Sequence, residues 1–139
     1  HEWEVRWAGD GLHWAGVGVA VGSVRLGDSL RREDVRGQAW VYQSKGFLCD
    51  GDVILACETV PPFAPGDRVK VRVALESRKV VFLRNDEPVG EVPLPASLAA
   101  GPAPGSAPIY PALYTDGAGV SCTFLTLPSP AAAGRSSVL

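Results

Sequence analysis

Between Arg68 and Val92 the chain reads RVKVRVALESRKVVFLRNDEPVGEV, and its first half leaves little choice of secondary structure. Val69, Val71, Val73 and Leu75 stand at every second position, with Arg68, Lys70 and Arg72 between them. Successive side chains of a strand point to opposite faces, so this is a strand with one buried face and one wet face. After Glu76-Ser77-Arg78 the run Val80-Val81-Phe82-Leu83 is apolar at consecutive positions, as in a strand covered on both sides. Asn85-Asp86-Glu87-Pro88 then breaks the pattern, because Asn and Asp tolerate turn geometry and Pro cannot serve an interior ladder. The whole segment is two consecutive antiparallel hairpins.

The same period recurs along the chain. Trp3, Val5 and Trp7 alternate with Glu2, Glu4 and Arg6, and Gly9-Asp10-Gly11 turns that strand. From Trp14 to Val21 one face carries Val17, Val19 and Val21 and the other only Gly16, Gly18 and Ala20, so a large neighbour can lie close over the small side. Further strands are expected over Gln38–Gln43, Asp52–Cys57, Ile109–Tyr114 and Val120–Leu125. Short strands at turn-punctuated spacing, with no convincing amphipathic helix, define an all-β sandwich or barrel. Two connections interrupt the rhythm: the charged Arg25–Gly37, with a possible helical turn after Asp28 or Ser29, and the Pro/Ala/Gly-rich Pro93–Pro108, a long surface loop. Residues 1–127 form one domain, and Pro128–Leu139 has no core pattern and is expected to be a flexible tail.

Composition narrows the classes of function. With 46% hydrophobic and 20% charged residues the chain is globular, and a net charge of -2 argues against nucleic acid and anionic membrane as partners. No apolar run approaches the roughly 20 residues of a membrane span, and HEWEVRWAGD has no signal-peptide pattern. The absence of Met, even at position 1, is expected of a domain cut from a longer polypeptide or of a processed chain. Cys49, Cys57 and Cys122 are odd in number and make no disulfide framework. Cys57 closes an apolar run and Cys122 alternates with Val120 and Phe124, so both read as small buried hydrophobes in a reducing, cytoplasmic setting.

Catalytic chemistry finds little purchase. His1 and His13 belong to no metal-binding or nucleophile-activating spacing. The glycines of GVGVAVG, 16–22, alternate inside a strand instead of turning into a helix, which removes the phosphate-loop reading. Asp50 and Asp52 of CDGD are too few oxygens for a hard cation and read as a plain turn. Ser23 and Ser121 lack the strained turn of a serine nucleophile, and Glu2, Glu4, Glu76 and Glu91 are explained as solvent-facing strand or turn residues. The expectation is a non-enzyme, without cofactor or metal, that acts through its surface.

Five stretches in order, HEWEV at 1–5, HWAGVGVAVGSV at 13–24, QAWVYQSKGF at 38–47, ALESRKVVFLRND at 74–86 and IYPALYTDGAGVSCTF at 109–124, resemble the successive motifs of the SPRY, or B30.2, family. Trp3, Glu4 and Val5 match its Trp-Glu-Val strand, and Trp40 its central tryptophan. The motif usually written Leu-Asp-Tyr-Glu stands here as Leu75-Glu76-Ser77-Arg78, keeping the leucine and one acid. The details look most like the tripartite-motif ubiquitin ligases, in particular their microtubule-associated branch, with the preceding PRY segment largely missing.

The resemblance implies a bent two-sheet antiparallel β-sandwich, a concanavalin-like jelly roll, whose loops bind a protein or peptide partner. It implies a target-recognition module of a larger ligase, monomeric when isolated and carried by a coiled-coil oligomer. Contact positions carried over from relatives are Gln43, Lys45 and Phe47 after the central tryptophan, and Tyr114, Thr115 and Asp116 before the last strand. Each has a plainer reading: Phe47 and Tyr114 as packing residues, Lys45 and Asp116 as solvated charges. Trp3, Trp14 and Trp40 are assigned to the core. A small-ligand or glycan sensor is the other functional class, with Arg31, Arg32 and Arg36 as its only basic cluster, and a structural domain of a larger assembly is a third.

Overall fold

The computed structural model describes residues 2–9, 15–21, 36–74, 76–95, 109–115 and 121–126. Ten strands run through them: β1 Glu2–Ala8, β2 Ala15–Val21, β3 Ala39–Gln43, β4 Phe47–Asp50, β5 Val53–Ala56, β6 Arg68–Ala74, β7 Lys79–Arg84, β8 Glu87–Pro93, β9 Ile109–Thr115 and β10 Ser121–Thr126. Sheet A has the order β10-β1-β6-β7-β8 and sheet B the order β5-β4-β3-β2-β9, with every pairing antiparallel. The all-β sandwich expected from the period-two patterning is thus the architecture found, without helix among the described residues. The segments expected to hold a helical turn at Asp28 or Ser29, the loop from 96 to 108, Trp14, the histidines, Ser23 and the tail from 128 lie outside the described residues.

One core fills the space between the sheets. Trp3, Val5 and Trp7 of β1, Val69, Val71 and Val73 of β6, and Val80 and Phe82 of β7 face Val17 and Val19 of β2, Trp40 and Tyr42 of β3, and Leu48 of β4. Aromatic rings join the two layers: Tyr42 meets Phe82 edge-on at 5.9 Å and Phe63 at 4.8 Å, while Phe63 stacks on Trp7 at 5.8 Å. Phe63 comes from the connection between β5 and β6, which wedges its apolar side chain into the core at one end. Burial pushes the Tyr42 phenol up to about 12, and its hydroxyl donates to the Pro61 carbonyl.

The alternation in β6 is seen directly, with Val69, Val71 and Val73 buried and Arg72 exposed. On the outer face, Arg72 hydrogen-bonds Glu2 at 2.9 Å, Arg68 reaches Glu4 at 3.3 Å and Asp86 at 2.7 Å, and Lys79 pairs with Glu91 at 3.1 Å. Val81 and Leu83 are opposite Arg72 and Lys70 in register, so long basic stems lie beside an apolar strand. The β7–β8 turn has just two residues, Asn85 and Asp86, both with positive φ (50° and 72°). That is type I′ geometry, whose twist suits a tight hairpin and which Asn and Asp tolerate best after Gly.

Three features depart from the sequence expectation. Phe47–Asp50 is a strand of its own, hidden in sequence because its four residues merge into the turns at either side. Strand β5 is the edge of sheet B and leaves Val53, Ile54 and Leu55 exposed (39%, 48% and 45%), although an apolar run had implied burial. Cys57 follows it into solvent and is exposed, not buried, while Cys122 is half-buried, with its thiol pushed up to about 11 by desolvation. A run at a sheet edge has one flank unpaired, and nothing local in VILAC distinguishes that from a central strand. All three cysteines are free.

Candidate functional site

The register of sheet B carries the contact positions to one end of the sheet. Phe47 pairs with Gln43, Gln43 with Gly16, and Gly16 with Tyr114, so four neighbouring strands contribute one transverse row. Thr115 lies beside Ala15 at the same end. Residues more than sixty positions apart in the chain therefore meet in a single band.

Glycine makes the row close-packed. A Cβ at Gly16 would collide with the Tyr114 ring and approach Val41 Cγ1 to 2.5 Å, so the tyrosine occupies the room that the missing side chain leaves. This is the close approach that the Gly16/Gly18/Ala20 face implied. Tyr114 is in consequence 5% exposed.

The turn from Ser44 to Gly46 is pinned from several sides. Ser44 N donates to the Ala15 carbonyl at 2.8 Å and Ala15 N to Ser44 Oγ at 3.1 Å, which ties the turn to β2. Phe63 N donates to the Ser44 carbonyl at 3.1 Å, and Gly46 N to the Gln43 carbonyl at 2.9 Å. Gln43 Oε1 accepts from Lys45 N at 2.9 Å. Gly46 adopts φ +95° with its Cα against the Val60 carbonyl, where a side chain would stand 2.7 Å from that oxygen. Lys45 thus projects from a turn whose backbone has little freedom.

Exposure separates the contact positions into two kinds. Lys45 is exposed and Phe47 and Thr115 are half-buried, whereas Gln43 is wholly buried and Tyr114 nearly so. Gln43 and Tyr114 are thus not accessible for direct contact in this conformation, which differs from the sequence expectation. The physical reason is that β2 and β3 are buried on both faces, so a position on the outer face of sheet B is not automatically wet. Asp116 lies outside the described residues.

Other candidates are absorbed into structure. Asp50 and Asp52 flank the β4–β5 turn: Asp50 Oδ1 accepts from Gly37 N at 2.6 Å, and Asp52 binds Arg36 through two hydrogen bonds of 2.6 and 3.1 Å. The CDGD carboxylates therefore clamp the turn that leads into β3. Arg36 is spent on the same clamp, and Arg31 and Arg32 lie outside the described residues. Among the described residues no group of three or more His, Cys, Asp or Glu side chains could hold a metal ion, and no helix is long and apolar enough to cross a membrane.

The geometry defines a class: a two-sheet β-sandwich with a braced turn and a transverse row at one end of a sheet. No protein-family model and no curated protein sequence matches the chain. Solved structures do share its fold. A human SPRY domain superposes with a TM-score of 0.56 at 20% identity, covering 68% of this chain and 61% of that one, so the match spans less than two thirds of that domain. The SPRY domain of human HERC1 superposes with a TM-score of 0.63 at 18% identity, covering 92% of this chain and 76% of its own. The fold is that of SPRY domains.

Proposed function

We propose that the chain is a protein- or peptide-binding module without catalysis of its own, the target-recognition domain of a larger ubiquitin ligase of the tripartite-motif type, working in the cytoplasm. The observation that carries the binding role is the convergence of Lys45, Phe47 and Thr115 at one end of sheet B, on a turn braced to β2 and to the connection before β6. A rigid scaffold presenting a few accessible side chains is suited to recognition, because little ordering entropy is left to spend on binding. The free cysteines support a reducing compartment. The ligase assignment rests on the motif resemblance, with Leu75-Glu76-Ser77-Arg78 as its weakest link.

The test is capture from cytosolic extract with the wild-type chain and with Lys45→Ala/Phe47→Ala, each checked for its melting temperature. The double variant is expected to hold its captured protein at least tenfold more weakly, about 1.4 kcal/mol, with a stability loss of no more than about 1–2 kcal/mol from the half-buried ring. Undiminished capture would remove the partner surface from this end of the sheet.

A further inference from the structure

Charge on the described surface is largely spent within the chain. Arg36, Arg68, Lys70, Arg72 and Lys79 all form ion pairs, and Arg84 donates to the Pro62 carbonyl at 2.8 Å. Lys45 differs: among the described residues its ammonium has neither an acidic partner nor a hydrogen-bond acceptor, although its backbone is fixed. Arg6 and Arg78 are likewise outside any ion pair given by the described residues, but Arg6 stands between Arg68 and Thr123 on the wet face of sheet A, and Arg78 in the turn before β7. Trp7, next to Arg6 in sequence, is buried in the core, and Arg6 has Arg68 and Thr123, not an aromatic ring, opposite it in register. Lys45 has Phe47 two residues on, half-buried and at the end of the row.

A second feature lies just beneath. The Gln43 amide is wholly buried; its Oε1 is engaged by Lys45 N, while Nε2 is buried with no acceptor among the described residues. An unsatisfied buried donor is costly. Lys45 is the charged side chain that this turn exposes.

Resting on the assignment of the partner surface to this end of sheet B, we infer that the partner presents an acidic peptide segment: an Asp or Glu carboxylate at Lys45, beside an apolar side chain seated on Phe47. The chemistry of the two positions is complementary to that pairing and to no basic or purely apolar segment. A cation held on a braced turn loses less freedom on pairing than one on a mobile loop, so it selects charge and fixes register. Gln43 acts as a positioning residue, holding the Lys45 backbone.

An arrayed library of random peptides, probed with the whole chain, reads this out. Peptides bound by the wild type are expected to be enriched in Asp and Glu next to an apolar residue, and to bind more weakly as salt is raised. Lys45→Glu is expected to lose those peptides at least tenfold and to retain Lys- and Arg-bearing ones instead, while Lys45→Gln loses the enrichment without reversing it. Unchanged melting temperatures of both variants establish that the loss is not one of folding. Bound peptides with no acidic enrichment, yet lost on Phe47→Ala, would overturn the acidic inference and leave the surface standing. A bound set unmoved by Lys45→Glu and by Phe47→Ala would overturn both, as would the retention of no peptide at all.

Discussion

The two sheets have the same number of strands and the same antiparallel pairing, yet their outer faces are opposites. Sheet A carries on its outer face a cross-strand ladder of charge, Glu2 to Arg72, and Glu4, itself buried, to Arg68 and on to Asp86. Sheet B turns outward Gly16, Gly18 and Ala20 with Val41, Gln43, Ala112 and Tyr114, and at its centre these are buried. The difference teaches what each face leaves unpaired. Most of the charge on sheet A's face is paired within the chain, Arg6 excepted, while sheet B places small residues against Tyr114 and ends in a turn that exposes Lys45, unpaired among the described residues.

The largest expected effect tests the interior that both sheets share. Trp40 is 2% exposed and faces the common core, so Trp40→Ala is expected to cost about 3–5 kcal/mol, read as a lowered denaturant midpoint. A midpoint unchanged from wild type would mean that the sheets do not share that core, and the comparison would lose its basis.

A smaller effect is expected on the outer face of sheet B. Gly16→Val places carbon into the Tyr114 ring and Val41, for a cost of about 1–3 kcal/mol from overpacking. The accompanying change is a tyrosine that becomes accessible, measurable as a rise in Tyr114 nitration or in solvent quenching of its fluorescence. Neutrality with an unmoved Tyr114 would show that this face is as open as that of sheet A.

The smallest effect belongs to the ladder of sheet A. A double-mutant cycle on Glu2 and Arg72, whose side chains are about half exposed, is expected to return only about 0.2–1 kcal/mol, shrinking with salt. The hydrogen bond from Arg72 holds the Glu2 carboxyl below its ordinary 4.5. A depressed folded-state value means that the unfolded chain takes up the proton first as pH falls. The contribution is therefore fully present above about pH 4.5 and fades as pH drops through the lower folded value. A coupling that survives to pH 2 or in molar salt would make this face a structural element instead of a solvated one.

Much of this comparison is written in the sequence. Val69, Val71 and Val73 against Arg68, Lys70 and Arg72 specify β6 and its two faces, since a period of two on a pleated backbone admits no other arrangement. The Asn85-Asp86 pair specifies the tight hairpin through its tolerance of positive φ, and Gly16 and Gly18 announce a close neighbour. The motif resemblance proposes Gln43, Lys45, Phe47, Tyr114, Thr115 and Asp116 as contact positions, of which the register brings the first five to one end of sheet B. Local pattern, though, does not say which strand becomes an edge or what lies over a face. Val53-Ile54-Leu55-Ala56-Cys57 reads as core, and only the strand order put it at the rim of sheet B with Cys57 in solvent. Gln43 and Tyr114 read as reachable, yet both are buried, and only the pairing of β2 and β9 set the tyrosine ring over Gly16. Alternation fixes the face on which a side chain stands, because that is decided within a few residues. Exposure on that face depends on groups brought in from distant parts of the chain, and that the tertiary structure alone decides.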